Sequence, residues 1–147
     1  MNTPLSLRLI ARLRVSIDPP IEVGSVPGGI RRIIPIGAGV VDGPEMHGEV
    51  LALGADWNLR RDDGTETVSA RYLIRTREGE VLSVLNEGVI AVRDGEPFGV
   101  TSLRIEAPRE GRWAWLNDAV LVGSLQVVRG EGDVTAVSLE YWCAGPV

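Results

Sequence analysis

From Leu5 to Trp142 the chain alternates short runs of Val, Ile, Leu and Thr with polar residues, and glycine or proline interrupts the runs about every 8–12 residues. A period of two is the signature of strands with one face buried. The pattern predicts strands at Leu5–Ile17, Gly29–Ile36, Gly48–Leu51, Ala55–Arg61, Glu66–Thr76 and Val81–Asn86. Further strands are predicted at Val89–Arg93, Val100–Glu106, Trp113–Leu116, Val120–Val128 and Val134–Trp142. Asp63-Gly64, Glu78-Gly79, Asp94-Gly95 and "RGEGD" at Arg129–Asp133 read as hairpin tips. No amphipathic helix of any length is required; an N-terminal segment reads equally well as a strand. "VLSVL" and "AVLVG" are apolar on both faces, and closure of the sheet gives both faces something to pack against. The expected fold is all-β: one domain over residues 1–147, a closed or nearly closed antiparallel barrel, with a sandwich as the alternative.

The stretch "GADWNLRRDDGTETVSARY", Gly54 to Tyr72, does not sort into oily and wet faces. With a two-residue turn at Asp63-Gly64, Asp56 falls opposite Arg71 and Asn58 opposite Ser69. With a second two-residue turn at Glu78-Gly79, Arg71 also falls opposite Asn86. Directly opposed side chains share a face with Cβ atoms roughly 5 Å apart, so Asp56, Arg71 and Asn86 would form a carboxylate–guanidinium–amide row. A three-residue loop at Asp62–Gly64 instead slips the pairing by one and sets Ala70 opposite Asp56. The row either lines a polar pocket or is a solvated ion pair worth under about 1 kcal/mol.

Composition narrows the chemistry. All fifteen basic residues are arginines and the chain has one histidine, His47, and one cysteine, Cys143. Lysine Schiff bases, a phosphate-loop lysine, a multi-histidine metal site and an intrachain disulfide are thereby excluded. Cys143, in "EYWCAGPV", reads as a small buried hydrophobe, and His47 as an exposed loop residue. The net charge of −5 and the lack of a basic stripe argue against nucleic acid. Arg8, Arg12 and Arg14 interrupt the N-terminal apolar run, which fits neither a signal sequence nor a membrane span, so a cytoplasmic protein is expected.

The motifs "RRIIPIGAGVVDGP", "GEVLALGADWNLRRDDGTETVSARYLIRT" and "WLNDAVLVG" resemble the DUF3237 (UPF0311) family over about Ile21 to Tyr141. The resemblance implies a small antiparallel β-barrel and little about activity. It carries over, position by position, to Arg32, Asp56, Trp57, Arg71, Tyr72, Asn86, Glu106, Trp115 and Asn117. Ala38, Leu53, Ser69 and Trp113 depart from the family's usual residues, which would reshape a pocket.

These residues suggest a cofactor-independent, metal-free enzyme that moves protons on a small hydrophobic carbonyl or phenolic compound, by isomerisation, cyclisation or Michael-type addition and elimination. Asp56 and Glu106 are the carboxylates for acid–base work. Arg71, with Asn86 and Asn117, would stabilise an oxyanion. Arg32 joins Trp57, Tyr72, Asn86, Trp115 and Asn117 as substrate-binding candidates, with the aromatic rings as walls. Each also has a structural reading: turn chemistry for Asn117, core or interface packing for the tryptophans, a solvated stripe for Glu106. The competing function is a binding or carrier barrel for a small hydrophobic or aromatic ligand. A homodimer is compatible with both.

Overall fold

The computed structural model describes residues 2–147. Nine strands run β1 Leu5–Ile17, β2 Ile21–Val26, β3 Gly29–Pro44, β4 His47–Arg61, β5 Glu66–Thr76, β6 Val81–Arg93, β7 Glu96–Glu106, β8 Val120–Gly130 and β9 Asp133–Pro146. All pairings are antiparallel, in the order β1-β9-β8-β7-β6-β5-β4-β3, and β1 pairs with β3 to close an eight-stranded barrel. The first half of β3 pairs with β2 and its second half with β1. β2 therefore continues along the edge that β1 leaves at the Pro19-Pro20 break, past the last β1–β9 pair at Ser16 and Ala136. Among the described residues no helix is long and apolar enough to cross a membrane.

Strands expected in pieces are longer and continuous, because Gly54 and Gly88 sit inside them rather than ending them. A Cβ on Gly54 would lie 2.2 Å from the carbonyl oxygen of Arg71, and its φ of +106° favours glycine. It marks the irregularity at which the β4–β5 register shifts between Val50 and Gly54. β2 was not expected. Trp113–Leu116, expected as a strand, instead enters a 3-10 helix at Ala114–Asp118, closed by hydrogen bonds from Leu116 N–H to Trp113 and from Ala119 N–H to Leu116.

That helix closes one end of the barrel. Trp113 and Leu116 are buried there with Ile10, Met46, Ile74, Leu82 and Ile105, and Glu78 in the β5–β6 turn accepts a hydrogen bond from Trp113 Nε1 at 3.2 Å. Complete burial of each such side chain contributes about 1.5–3 kcal/mol. The other end carries the β2–β3, β4–β5, β6–β7 and β8–β9 turns and is open.

Candidate functional site

Turn length decides which side chains enter the barrel. At the β4–β5 turn Arg61 N–H donates to Thr65 O, leaving a three-residue loop, Asp62–Gly64, with Gly64 at φ +85°. The β5–β6 turn repeats this: Thr76 N–H donates to Glu80 O and Gly79 has φ +95°. Glycine in the left-handed region at the third loop position is the usual form of such hairpins. Both registers are thus one residue away from the two-residue reading. Asp56 is opposite Ala70, and Ala70 is opposite Asn86. Arg71 is opposite Ala55 and Leu85 and projects, exposed, from the outer face. The expected Asp56–Arg71–Asn86 row is replaced by Asp56–Ala70–Asn86, with a methyl group where a guanidinium was expected.

The small Ala70 is part of the wall of a cavity of about 680 Å³ open at the turn-rich end, a size suited to a small organic ligand. Its walls are largely aliphatic, with Val15, Ile34, Ile36, Val68, Leu125 and Leu139 among them. Below a polar rim that includes Asp18, Arg60, Arg129 and Asp133, its polar groups fall in three levels along the strands. Arg32 and Asn58 are paired nearest the mouth, with Glu66 beside them. Ile34 and Asp56 are paired next, level with Ala70 and Asn86. Tyr72 lies two residues further in, opposite Gly54 and Val84.

Asp56 is 9% exposed. Burial raises its pKa from 3.8 to about 6, against the lowering effects of a hydrogen bond from Ser69 N–H at 2.8 Å, the Asn58 side chain and the Arg32 charge. Desolvation prevails because, among the described residues, no cation pairs with this carboxylate directly. Tyr72 and Tyr141 are buried and share a hydrogen bond between their hydroxyls. Burial pushes Tyr72 up to about 12, with the Tyr141 hydroxyl and the Asn86 amide acting in the other direction by hydrogen bonding. Tyr141 is raised further, by burial and by Tyr72. Both phenols are therefore neutral donors at neutral pH. Asn86 is 2% exposed and its Oδ1 has no partner among the described residues.

Residues 5–143 match the family described as "Protein of unknown function (DUF3237)". The chain belongs to the DUF3237 family. A UPF0311 protein of Clostridium acetobutylicum is 37% identical over 83 residues, 56% of this chain, and the match spans about half (52%) of that relative's length. A UPF0311 protein of Bradyrhizobium diazoefficiens is 28% identical over 138 residues, 84% of this chain and 90% of the relative. Among solved structures, a beta-barrel like protein from Acinetobacter baumannii superposes with a TM-score of 0.85 at 24% identity, covering 99% of both chains. An enzyme from Penicillium herquei superposes with a TM-score of 0.75 at 22% identity, covering 99% of this chain and 98% of the other. At these identities the two structures share the fold.

The positions through which this chain resembled DUF3237 divide sharply. Arg32, Asp56, Tyr72 and Asn86 line the cavity. Arg71, Glu106 and Trp57 do not: alternation puts each on the outer face, where Trp57 is 51% exposed. Trp115 lies on the 3-10 helix outside the closed end, with the Arg8 guanidinium 5.4 Å from its ring. Asn117 performs turn chemistry, its Nδ2 donating to the carbonyls of Ala107 and Ala114 while its Oδ1 accepts from Ala107 N–H. Four of the nine matching positions thus line the cavity and five lie outside it. The sequence reading left Asn58, Glu66 and Tyr141 out of the site. Asn58 follows Asp56 by two residues and so shares its face. Tyr141 carries no local signal, because its partner Tyr72 lies 69 residues away.

Cys143 is a free, partly buried thiol packed against the core. His47 is partly buried, its Nδ1 3.7 Å from an Asp42 carboxylate oxygen.

Proposed function

We propose that the barrel is a proton-transfer enzyme for a small hydrophobic carbonyl or phenolic compound, with Asp56 as the base and Tyr72 as the oxyanion donor. The observation that carries the reading is the desolvated Asp56 carboxylate on an aliphatic cavity wall, one level from a neutral phenol hydrogen-bonded to a second phenol. A carboxylate with a pKa near 6 is ionised at neutral pH and still basic enough to accept a proton efficiently. Asp56 removes a proton from carbon next to the carbonyl; the C–H electron pair becomes the enolate C=C bond and the carbonyl π pair moves to oxygen. Tyr72 donates a hydrogen bond to that oxygen, and Tyr141 and Asn86 support the phenol. Return of the proton from Asp56 to another carbon of a conjugated enolate gives isomerisation, and attack of the enolate carbon on an internal carbonyl, whose π pair moves to its own oxygen, gives cyclisation. The oxyanion role first read for Arg71 passes to Tyr72, and Glu106 has no part. The Penicillium herquei neighbour, described as an enzyme, is compatible with catalysis on this fold.

The test is solvent deuterium exchange at the carbons flanking the carbonyl of 2-decanone and of 4-phenyl-3-buten-2-one, followed by NMR, with binding measured calorimetrically. The expected rate rises with pH through about 6 and then levels. Asp56→Asn abolishes exchange with binding retained, and Tyr72→Phe lowers the rate by about 10²–10³-fold. Binding of both ketones without exchange would establish the second reading, a carrier barrel, which the enclosed aliphatic walls also favour.

A further inference from the structure

We propose that the compound turned over in this cavity is an elongated keto acid whose carboxylate docks on Arg32 at the mouth while its carbonyl reaches Tyr72 at the far level. The proposal rests on the proton-transfer reading for the site it deepens, and adds a class of substrate and a residue that selects it.

Arg32 projects into the cavity from β3, and its side chain is only 19% exposed. A guanidinium offers five N–H donors, yet the partners of Arg32 are few. Nη2 donates to Asn58 Oδ1 at 3.3 Å and to Glu66 Oε2 at 3.4 Å, both long for charge-assisted bonds, and buried Nε has no partner among the described residues. Glu66 meanwhile accepts from Arg32, Asn58 and Arg60. Two arginines therefore share one carboxylate, leaving one positive charge uncompensated within this level. At the wider rim Arg129 lies 3.7 Å from a Glu96 carboxylate oxygen, and Asp18 and Asp133 add two more carboxylates, so among the described lining residues positive charge exceeds negative only at the Arg32 level. An aliphatic cavity that holds an underused arginine is built for a ligand with an anionic end.

The levels also set a length. Arg32 lies two residues mouthward of Ile34, which is opposite Asp56. Tyr72 lies two residues inward of Ala70, which is also opposite Asp56. Four residues along tilted strands correspond to about 10 Å along the barrel axis. A carboxylate and a ketone separated by that distance would set the ketone beside Tyr72, with the carbon next to it on the Asp56 side. The level order also fixes orientation: the ketone end leads inward and the acid stays at the mouth.

The probes are 9-oxodecanoate, a straight-chain methyl-keto acid of matching length, and its methyl ester, with binding measured by calorimetry. Tryptophan emission is a poor reporter because no tryptophan lines the cavity. The acid is expected to bind at least tenfold more tightly than the ester. Arg32→Met should remove that preference while leaving ester affinity within twofold, and Arg32→Lys should keep part of it. Glu66→Gln, which releases Arg32 from its internal partner, should tighten the acid further. Equal binding of acid and ester, equal weakening of both by Arg32→Met, or no binding of either overturns the proposal. Exchange at the carbons flanking the ketone is read in the same samples. An acid preference that depends on Arg32 but comes without exchange would refute proton transfer and leave the Arg32 anchor standing. Exchange that depends on Asp56 with no acid preference would do the reverse.

Discussion

Asp56 is a carboxylate held under desolvation. Its pKa is about 6 when folded and 3.8 as a free side chain, so the folded state binds its proton more tightly than the unfolded state does. Its stabilising contribution is therefore complete below about pH 4 and is lost as pH rises through about 6. The loss is on the order of 2–3 kcal/mol. Asp56→Asn keeps an oxygen for Ser69 N–H without a charge to desolvate. The variant is expected to be more stable than the parent in urea at pH 8, with the difference vanishing near pH 4. A difference unchanged across that range would mean that Asp56 is solvated. Arg71 makes the opposite point: an exposed guanidinium on the outer face, it has no reason to affect either the stability profile or a ligand.

At the level of elements, alternation and turn residues made most strands legible before any coordinates. β1 and β5 have the boundaries expected from pattern alone. What failed is instructive. Asp-Gly and Glu-Gly dipeptides signal a turn but not whether one residue more belongs to the loop, and a single residue inverts which face enters the barrel. The alternation in "WAWL" has the look of a strand, yet the chain turns into a 3-10 helix there because Trp113 and Leu116, three apart, can both be buried against the barrel end. "IEVGSV" escaped because glycine interrupts it and four of its six residues are exposed. The candidate site was legible where chemistry is local, as in Asp56, Tyr72 and Asn86, and hidden where it depends on distant pairing, as in Tyr141, the partner of Tyr72. The tryptophans test the inside–outside assignment directly. Trp113→Ala is expected to cost about 3–5 kcal/mol in chemical denaturation, whereas Trp57→Ala should cost under about 1 kcal/mol and leave ligand affinity unchanged.

Across the whole molecule, one half of the barrel is filled and the other is hollow. Side chains such as Ile74, Leu82, Val84 and Ile105 are buried in one core cluster with Trp113 and Leu116, while the mouth half surrounds the cavity. Packing density governs local opening, so amide hydrogen exchange is expected to be slowest at Ile74 and Leu82 and faster toward Val68, Ile90 and Val127. A ligand that fills the cavity should slow exchange in the mouth half and leave the filled half nearly unchanged. Uniform protection along β5 and β6 would contradict that division.

A barrel sealed at one end is a cul-de-sac. Whatever reaches Asp56 must come in and back out through a single doorway, so entry order is also exit order reversed. The inward end of a guest meets a wall of packed side chains and is tightly limited in bulk. The outward end faces solvent between the β6–β7 and β8–β9 hairpins and can trail a larger group. Guests that differ at the trailing end should be accepted alike, and selectivity should be concentrated in whatever part travels first.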